Sequence, residues 1–109
     1  MTPFERWFDL CHVEDIPLRG SRRVEKEGLK IAIFRTADQS VYAVENRCAH
    51  KGGPLSEGIV HDCAVTCPLH NWVYDLSTGK ARGADEGQIR TFPVEIRDGG
   101  RVHLKIASL

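Results

Sequence analysis

The 109-residue sequence has little that suits a membrane, a nucleic acid or a secretion pathway. No run approaches the roughly 20 consecutive apolar residues that cross a bilayer. Fifteen basic residues are matched by fifteen acidic ones, so the chain lacks the surplus of Lys and Arg that phosphate backbones demand. Its start, MTPFERWFDLC, carries acidic side chains where a signal peptide needs a continuous apolar stretch. We therefore expect a cytoplasmic protein that binds neither membrane nor nucleic acid.

The sequence also lacks the periodicity of an amphipathic helix. Short runs of β-forming residues alternate instead with turns that contain Gly, Pro and Asp, which is typical of an antiparallel sandwich or small barrel. The last two runs form the clearest hairpin, across the turn Asp98-Gly99-Gly100. We expect a single all-β domain over 1–109, with strands at 6–11, 29–35, 41–45, 64–66, 72–75, 91–97 and 101–106.

Residues 46–83 interrupt this pattern with a long segment that is rich in Gly, Pro, Cys and His. A connection of this length within a small domain is usually functional. Two loops in it each combine one thiol and one imidazole, as Cys48-Ala49-His50 and Cys67-Pro68-Leu69-His70. Two such pairs can bind one zinc ion or a two-iron cluster, because both metals take thiolate and imidazole ligands. Cys11, Cys63, His12, His61 and His103 have no matching loop and are interpreted as structural.

The pattern Cys-x-His, a spacer, and Cys-x-x-His resembles the Rieske iron–sulfur family. The resemblance implies a Rieske-type antiparallel β fold and a [2Fe–2S] cluster, with Cys48 and Cys67 on one iron and His50 and His70 on the other. Higher-potential members have a disulfide between the loops, at positions that are Gly53 and Leu69 here. The resemblance therefore implies a low-potential, ferredoxin-like centre.

The chain has no room for a second, mononuclear iron domain and no glycine fingerprint for a flavin or nicotinamide. We expect no catalytic residues and an electron carrier that works between partners. The stretches 51–58 and 67–73, continuing to 87, resemble the small subunit of assimilatory NAD(P)H nitrite reductase. That implies a large subunit carrying FAD, an iron–sulfur centre and sirohaem, which reduces nitrite to ammonia. The alternatives are a ferredoxin for an aromatic-ring dioxygenase and a non-redox zinc module.

Overall fold

The computed structural model describes residues 4–47, 54–68, 72–82 and 87–108. These residues form ten strands, and the helices among them are single 3₁₀ turns at Val13–Asp15, Leu55–Glu57 and Asp98–Gly100. The all-β prediction is therefore confirmed. The strands are β1 (Phe4–His12), β2 (Gly20–Lys26), β3 (Leu29–Arg35), β4 (Val41–Glu45), β5 (Ile59–His61), β6 (Ala64–Thr66), β7 (Val73–Asp75), β8 (Thr91–Phe92), β9 (Val94–Arg97) and β10 (Arg101–Ser108).

The described strands pair into three antiparallel sheets. Sheet A has the order β1-β10-β9, sheet B the order β2-β3-β4-β8, and sheet C the order β5-β6-β7. Sheet C lies entirely within the 46–83 segment. The cysteine- and histidine-rich insertion thus has its own small sheet, which is where the sequence placed the functional loops.

Strand β3 is the centre of the molecule and is buried on both of its faces. Ile31 and Ile33 enter an outer core between sheets A and B, whereas Ala32 and Phe34 enter an inner core between sheets B and C. Because neighbouring side chains of a strand point to opposite faces, a strand between two layers needs a continuous apolar run. The sequence Leu29–Arg35, LKIAIFR, meets this requirement.

The inner core supports the functional insertion and the outer core closes the sandwich. The buried members of the inner core are Ala32, Phe34, Val44, Leu55, Val60, Val65, Cys67, Tyr74, Leu76 and Ile89. The buried members of the outer core are Cys11, Ile16, Ile31, Ile33, Ala43, Phe92, Val102, Leu104 and Ile106. Burying side chains of this kind stabilises the fold by about 1.5–3 kcal/mol each before entropy is counted.

The structure corrects the predicted strands at three places. Strands β2 and β5 were not predicted, because β2 is a charged edge strand and β5 spans only Ile59–His61. The run predicted over 91–97 is two strands, since Pro93 has no N–H for the ladder. The final hairpin is confirmed, with Val102 opposite Ile96 and Leu104 opposite Val94.

Candidate metal centre

One of the four predicted ligands, Cys67, belongs to the described residues, whereas Cys48, His50 and His70 lie outside them. Cys67 follows strand β6 directly and is fully buried in the inner core. Its thiol is not part of a disulfide. The site can therefore be built from Cys67 and from the described residues that flank the two loops.

The second loop is closed at its base by strand pairing. Thr66 pairs with Val73 across β6 and β7, and the N–H of Cys67 donates to the carbonyl of Trp72 over 2.7 Å. These contacts bring Cys67 and Trp72 together at the two ends of the four residues between them. His70 is one of those four in the sequence. The sheet thus fixes both ends of the loop that carries one predicted thiolate and one predicted imidazole.

The first loop is closed at its base by side chains. The amide of Asn46 donates to Ser56 Oγ over 3.1 Å, and the Ser56 N–H donates to Asn46 Oδ1 over 2.8 Å. Ser21 on β2 donates from its Oγ to the Ser56 carbonyl over 2.6 Å. Asn46 and Ser56 therefore join the two ends of the stretch that contains Cys48 and His50. Sequence analysis missed both residues, because an Asn and a Ser ten positions apart carry no pattern of their own.

The two bases meet on the same apolar support. Leu55 follows the first loop and is fully buried in the inner core together with Cys67. Trp72 packs against that core, and its ring centroid lies 6.4 Å from that of the buried Tyr74. Both rings therefore lie on the Cys67 side of sheet B.

The remaining cysteines lie apart from this arrangement. Cys11 is buried in the outer core, where burial raises the pKa of its thiol and keeps it protonated. Cys63 accepts a hydrogen bond from the Tyr42 hydroxyl at 3.7 Å, which together with burial raises the pKa of that phenol. A protonated thiol is a poor metal ligand, so Cys11 in particular fits the structural interpretation.

The other histidines make structural contacts. His12 Nδ1 accepts from the Glu14 N–H, and its Nε2 lies 2.6 Å from the Gly99 carbonyl. His61 Nε2 lies 2.7 Å from Thr66 Oγ1, and His103 Nε2 lies 3.8 Å from an Asp9 carboxylate oxygen. Within ranges 4–47, 54–68, 72–82 and 87–108, no group of three His, Cys, Asp or Glu side chains could hold a metal ion.

The surroundings of Cys67 fit a soft metal centre. Cys67 lies at the end of a strand, is held by a backbone hydrogen bond and is buried in the same apolar core as Leu55 and Tyr74, so it offers sulfur in a dry environment. Thiolate sulfur in such a setting binds iron or zinc in preference to Mg²⁺ or Ca²⁺. The donor chemistry is thus that of an iron–sulfur or zinc site.

Comparison with known proteins decides between these metals. The sequence profile of the Rieske [2Fe-2S] domain matches residues 6–93. The chain belongs to the Rieske [2Fe–2S] family. It accordingly binds a [2Fe–2S] cluster and transfers electrons, and the zinc alternative is set aside.

Ferredoxin components of dioxygenase systems are among its relatives. The chain is 33% identical over 104 residues to the ferredoxin component of the naphthalene 1,2-dioxygenase system of Pseudomonas aeruginosa, covering 94% of this chain and 98% of that protein. It is 40% identical over 92 residues to the 3-phenylpropionate/cinnamic acid dioxygenase ferredoxin subunit of Photorhabdus laumondii, covering 83% and 86%.

A solved structure with a different name is also similar to this chain. A protein named as an NADPH nitrite reductase small subunit superposes with a TM-score of 0.80 at 28% identity, covering 91% of this chain and 97% of that one.

Among the described residues of the Rieske protein, no helix is long and apolar enough to cross a membrane.

Proposed function

We propose that this Rieske protein is the small subunit of a cytoplasmic assimilatory NAD(P)H nitrite reductase, with its cluster held by Cys48, His50, Cys67 and His70. When bound, the cluster supplies one-electron transfer. The chain's own residues position the ligands: Asn46 and Ser56 join the ends of the first loop, and Cys67 and Trp72 join the ends of the second. No residue of the chain is proposed to act on nitrite.

The observation that carries the partner assignment is the stretch that follows Cys67. Its sequence resemblance to nitrite reductase small subunits falls on a hydrogen-bonded unit: Gly79 donates to Asp75, Ile89 donates to Gly79, and Ala81 donates to Gly87. The resemblance therefore concerns residues that shape the support of the second loop. The similarity to the solved nitrite reductase subunit, which spans nearly the whole of both chains, supports the same assignment.

A second candidate function is the ferredoxin of an aromatic-ring dioxygenase system. The 33% and 40% identities to dioxygenase ferredoxins favour it, and the alignment with the naphthalene system covers almost all of both chains. In both roles the chain passes single electrons between larger proteins. The two roles differ in the partners, which are one large nitrite reductase subunit in the first role and a reductase with an oxygenase in the second.

Reconstitution with each partner distinguishes the two roles. The purified holoprotein would be combined with a nitrite reductase large subunit and NADH or NADPH, and nitrite consumption would be measured. The parallel assay combines it with the reductase and oxygenase of the naphthalene system and measures ring dihydroxylation. We expect nitrite turnover that requires the intact chain and is lost with the His70→Ala variant.

Equal nitrite turnover with the intact chain, with His70→Ala and with no small subunit would refute the nitrite reductase assignment. Dihydroxylation that depends on the chain, without any effect on nitrite turnover, would establish the ferredoxin role instead. An iron-free, zinc-containing protein after anaerobic purification would contradict the proposal that these four residues hold a [2Fe–2S] cluster.

A further inference from the structure

An open cleft of about 810 Å³ lies at the end of sheet B, where β4 leads into the first loop. Its walls include Arg23 on β2, Lys30 on β3, and Arg47 after β4. Arg90 completes the wall, because its carbonyl accepts from the Glu45 N–H and its guanidinium stacks on Phe92 at 4.8 Å. Four cationic side chains from separate parts of the sequence thus converge on one cleft.

The cleft has a positive excess in a chain whose formal net charge is zero. Its four cations face two carboxylates, those of Glu25 and Glu45. The remainder of the sequence must carry the balancing negative charge, so the molecule has an uneven charge distribution. An uneven field of this kind orients a charged partner during approach and raises the association rate.

Three of these cations are available to a partner. In the part of the chain that the structure describes, no carboxylate lies within 4.0 Å of the charged groups of Arg23, Lys30 or Arg47. All three side chains are exposed. Glu25 lies directly opposite Lys30 in the β2–β3 ladder, yet this cross-strand pair does not form an ion pair. Arginine and lysine side chains that are exposed and not paired with a described carboxylate can form ion pairs with a partner across an interface.

The arrangement of charges in the cleft is better suited to binding a protein surface than to binding a phosphate group. The cations come from β2, β3, the end of β4 and the segment before β8, so they border a wide cleft rather than a single point. Glu25 and Glu45 within the same cleft repel any ligand that is anionic throughout, whereas a mainly acidic protein surface can also present basic residues to them. Interfaces between proteins use such mixed patterns, in which most charges of one sign are matched by the other.

The wall of the cleft also includes the residues on both sides of the first loop in the sequence. Arg47 and Pro54, both in its wall, flank residues 48–53 in the sequence, and Asn46 in the same wall holds Ser56 beyond that loop. A partner seated on the cleft would therefore contact the stretch that leads to Cys48 and His50. Proximity of this kind is what electron transfer between proteins requires of a docking surface.

We propose that this cleft, lined by Arg23, Lys30, Arg47 and Arg90, docks an acidic, carboxylate-rich surface of the electron-transfer partner. The identity of the partner rests on the proposed function, whereas the preference of the cleft for carboxylates does not. The cleft orients the partner as it approaches, and the cluster carries the redox chemistry.

A binding measurement with a defined probe tests the preference. A fluorescein-labelled poly-glutamate peptide would be titrated with the holoprotein and followed by anisotropy, at about 0.01 M and about 0.15 M ionic strength. We expect Arg23→Gln/Arg47→Gln to weaken binding about fivefold or more at the lower ionic strength, since each exposed pair contributes up to about 1 kcal/mol. Unchanged cluster absorbance and circular dichroism would show that the variant is folded.

The matched control is Arg22→Gln/Lys80→Gln, which removes the same charge from exposed residues outside the cleft wall. Arg22 adjoins Arg23 on β2 but lies on the opposite face and acts electrostatically on Cys11 of the outer core. We expect this control to change binding less than about twofold. An equal loss in both variants would mean that net charge alone binds the peptide and would overturn the proposal.

Two further measurements distinguish a protein partner from a small anion as the ligand of the cleft. Displacement of the peptide by pyrophosphate, at a concentration where chloride of equal ionic strength has no effect, would make the cleft a small-anion site and overturn the proposal. In the reconstituted assay, the Arg23→Gln/Arg47→Gln protein should have a higher KM as the electron carrier than the wild type, with kcat unchanged. An unchanged KM in an active assay would also overturn it. If neither partner system turns over, the proposed function fails while the peptide titration still decides the chemistry of the cleft.

Discussion

The Nε2 atom of His12 lies 2.6 Å from the carbonyl oxygen of Gly99, 87 positions away in the sequence. The Nδ1 atom of the same ring accepts a hydrogen bond from the Glu14 N–H over 3.0 Å. Because Nδ1 must accept while Nε2 must donate to a carbonyl, both bonds are satisfied by the neutral tautomer with its proton on Nε2. His12 thus fastens the end of β1 to the β9–β10 turn of sheet A.

Two substitutions of His12 distinguish how much each of its two hydrogen bonds contributes to stability. His12→Ala loses both the helix cap and the bond to Gly99 and should lower the free energy of unfolding by about 1–2 kcal/mol. His12→Asn keeps an acceptor for Glu14 but is too short to reach Gly99, so it should recover part of that loss. Urea unfolding of the three proteins measures the difference. Equal stability of the Ala and Asn variants would show that the cap contributes nothing.

Two glycines with the same backbone conformation should respond differently to alanine. Gly28 and Gly79 have φ of +77° and +78°, but a Cβ on Gly28 would meet nothing within 4 Å, whereas one on Gly79 would collide with the Ile89 carbonyl. Gly28→Ala should therefore lower the free energy of unfolding by only about 1–2 kcal/mol, which is the energy that an alanine needs to adopt a left-handed backbone conformation.

Gly79→Ala should cost clearly more and should also reduce cluster content, because Gly79 joins the end of β7 to Ile89 of the inner core. Urea unfolding and iron analysis of both variants provide the measurement, with Gly28→Ala as the control for backbone conformation. Comparable losses in the two variants would contradict the collision.

The ion pair between Asp9 and Arg101 predicts a pH dependence of stability. The Arg101 guanidinium donates to Asp9 with Nη2 at 2.6 Å, and this hydrogen bond holds the pKa of the carboxyl below its usual range. A carboxyl with a lower pKa in the folded state contributes stability above its ordinary pKa of about 3.9, and this is lost as pH falls through the folded-state pKa.

The difference in unfolding midpoint between the wild type and Asp9→Asn should therefore shrink as pH is lowered below about 4. Carbon NMR of the Asp9 carboxyl should show its pKa rising in Arg101→Gln. Asp62→Asn is the control, since Asp62 is exposed and forms no ion pair with any residue for which the structure gives a position. A constant difference between wild type and Asp9→Asn across this range would contradict the linkage.

Substitution of the cysteines tests the proposed ligand set. Cys48→Ser and Cys67→Ser should lose nearly all iron, whereas Cys63→Ala and Cys11→Ala should retain it. The controls are matched because Cys11 is buried like Cys67 but in the outer core. Cys11→Ala should still cost about 1 kcal/mol of stability through lost packing. Iron and sulfide analysis of the purified proteins measures the result, and loss of iron in Cys63→Ala would assign the ligands differently.

Local sequence determined the chemistry and much of the secondary structure. The mixed pairs Cys48/His50 and Cys67/His70 indicated the family from their spacing alone, because metal ligands in a loop must be close in sequence. The alternation in Val102, Leu104 and Ile106 predicted a half-buried strand, and all three are buried. These features depend on neighbours within a few positions, so they can be predicted without the fold.

Only the tertiary structure decided what supports the loops and what surrounds them. The bonds from Asn46 and Ser21 to Ser56, the contact of Gly79 with Ile89, and the convergence of Arg23, Lys30, Arg47 and Arg90 join residues from separate elements. The charged strand β2 is likewise a strand because β3 offers it a hydrogen-bonding edge, not because of its own sequence. Such contacts form only when separate strands and loops pack together. They depend on which residues the folded sheets bring close in space, and no local sequence pattern records this.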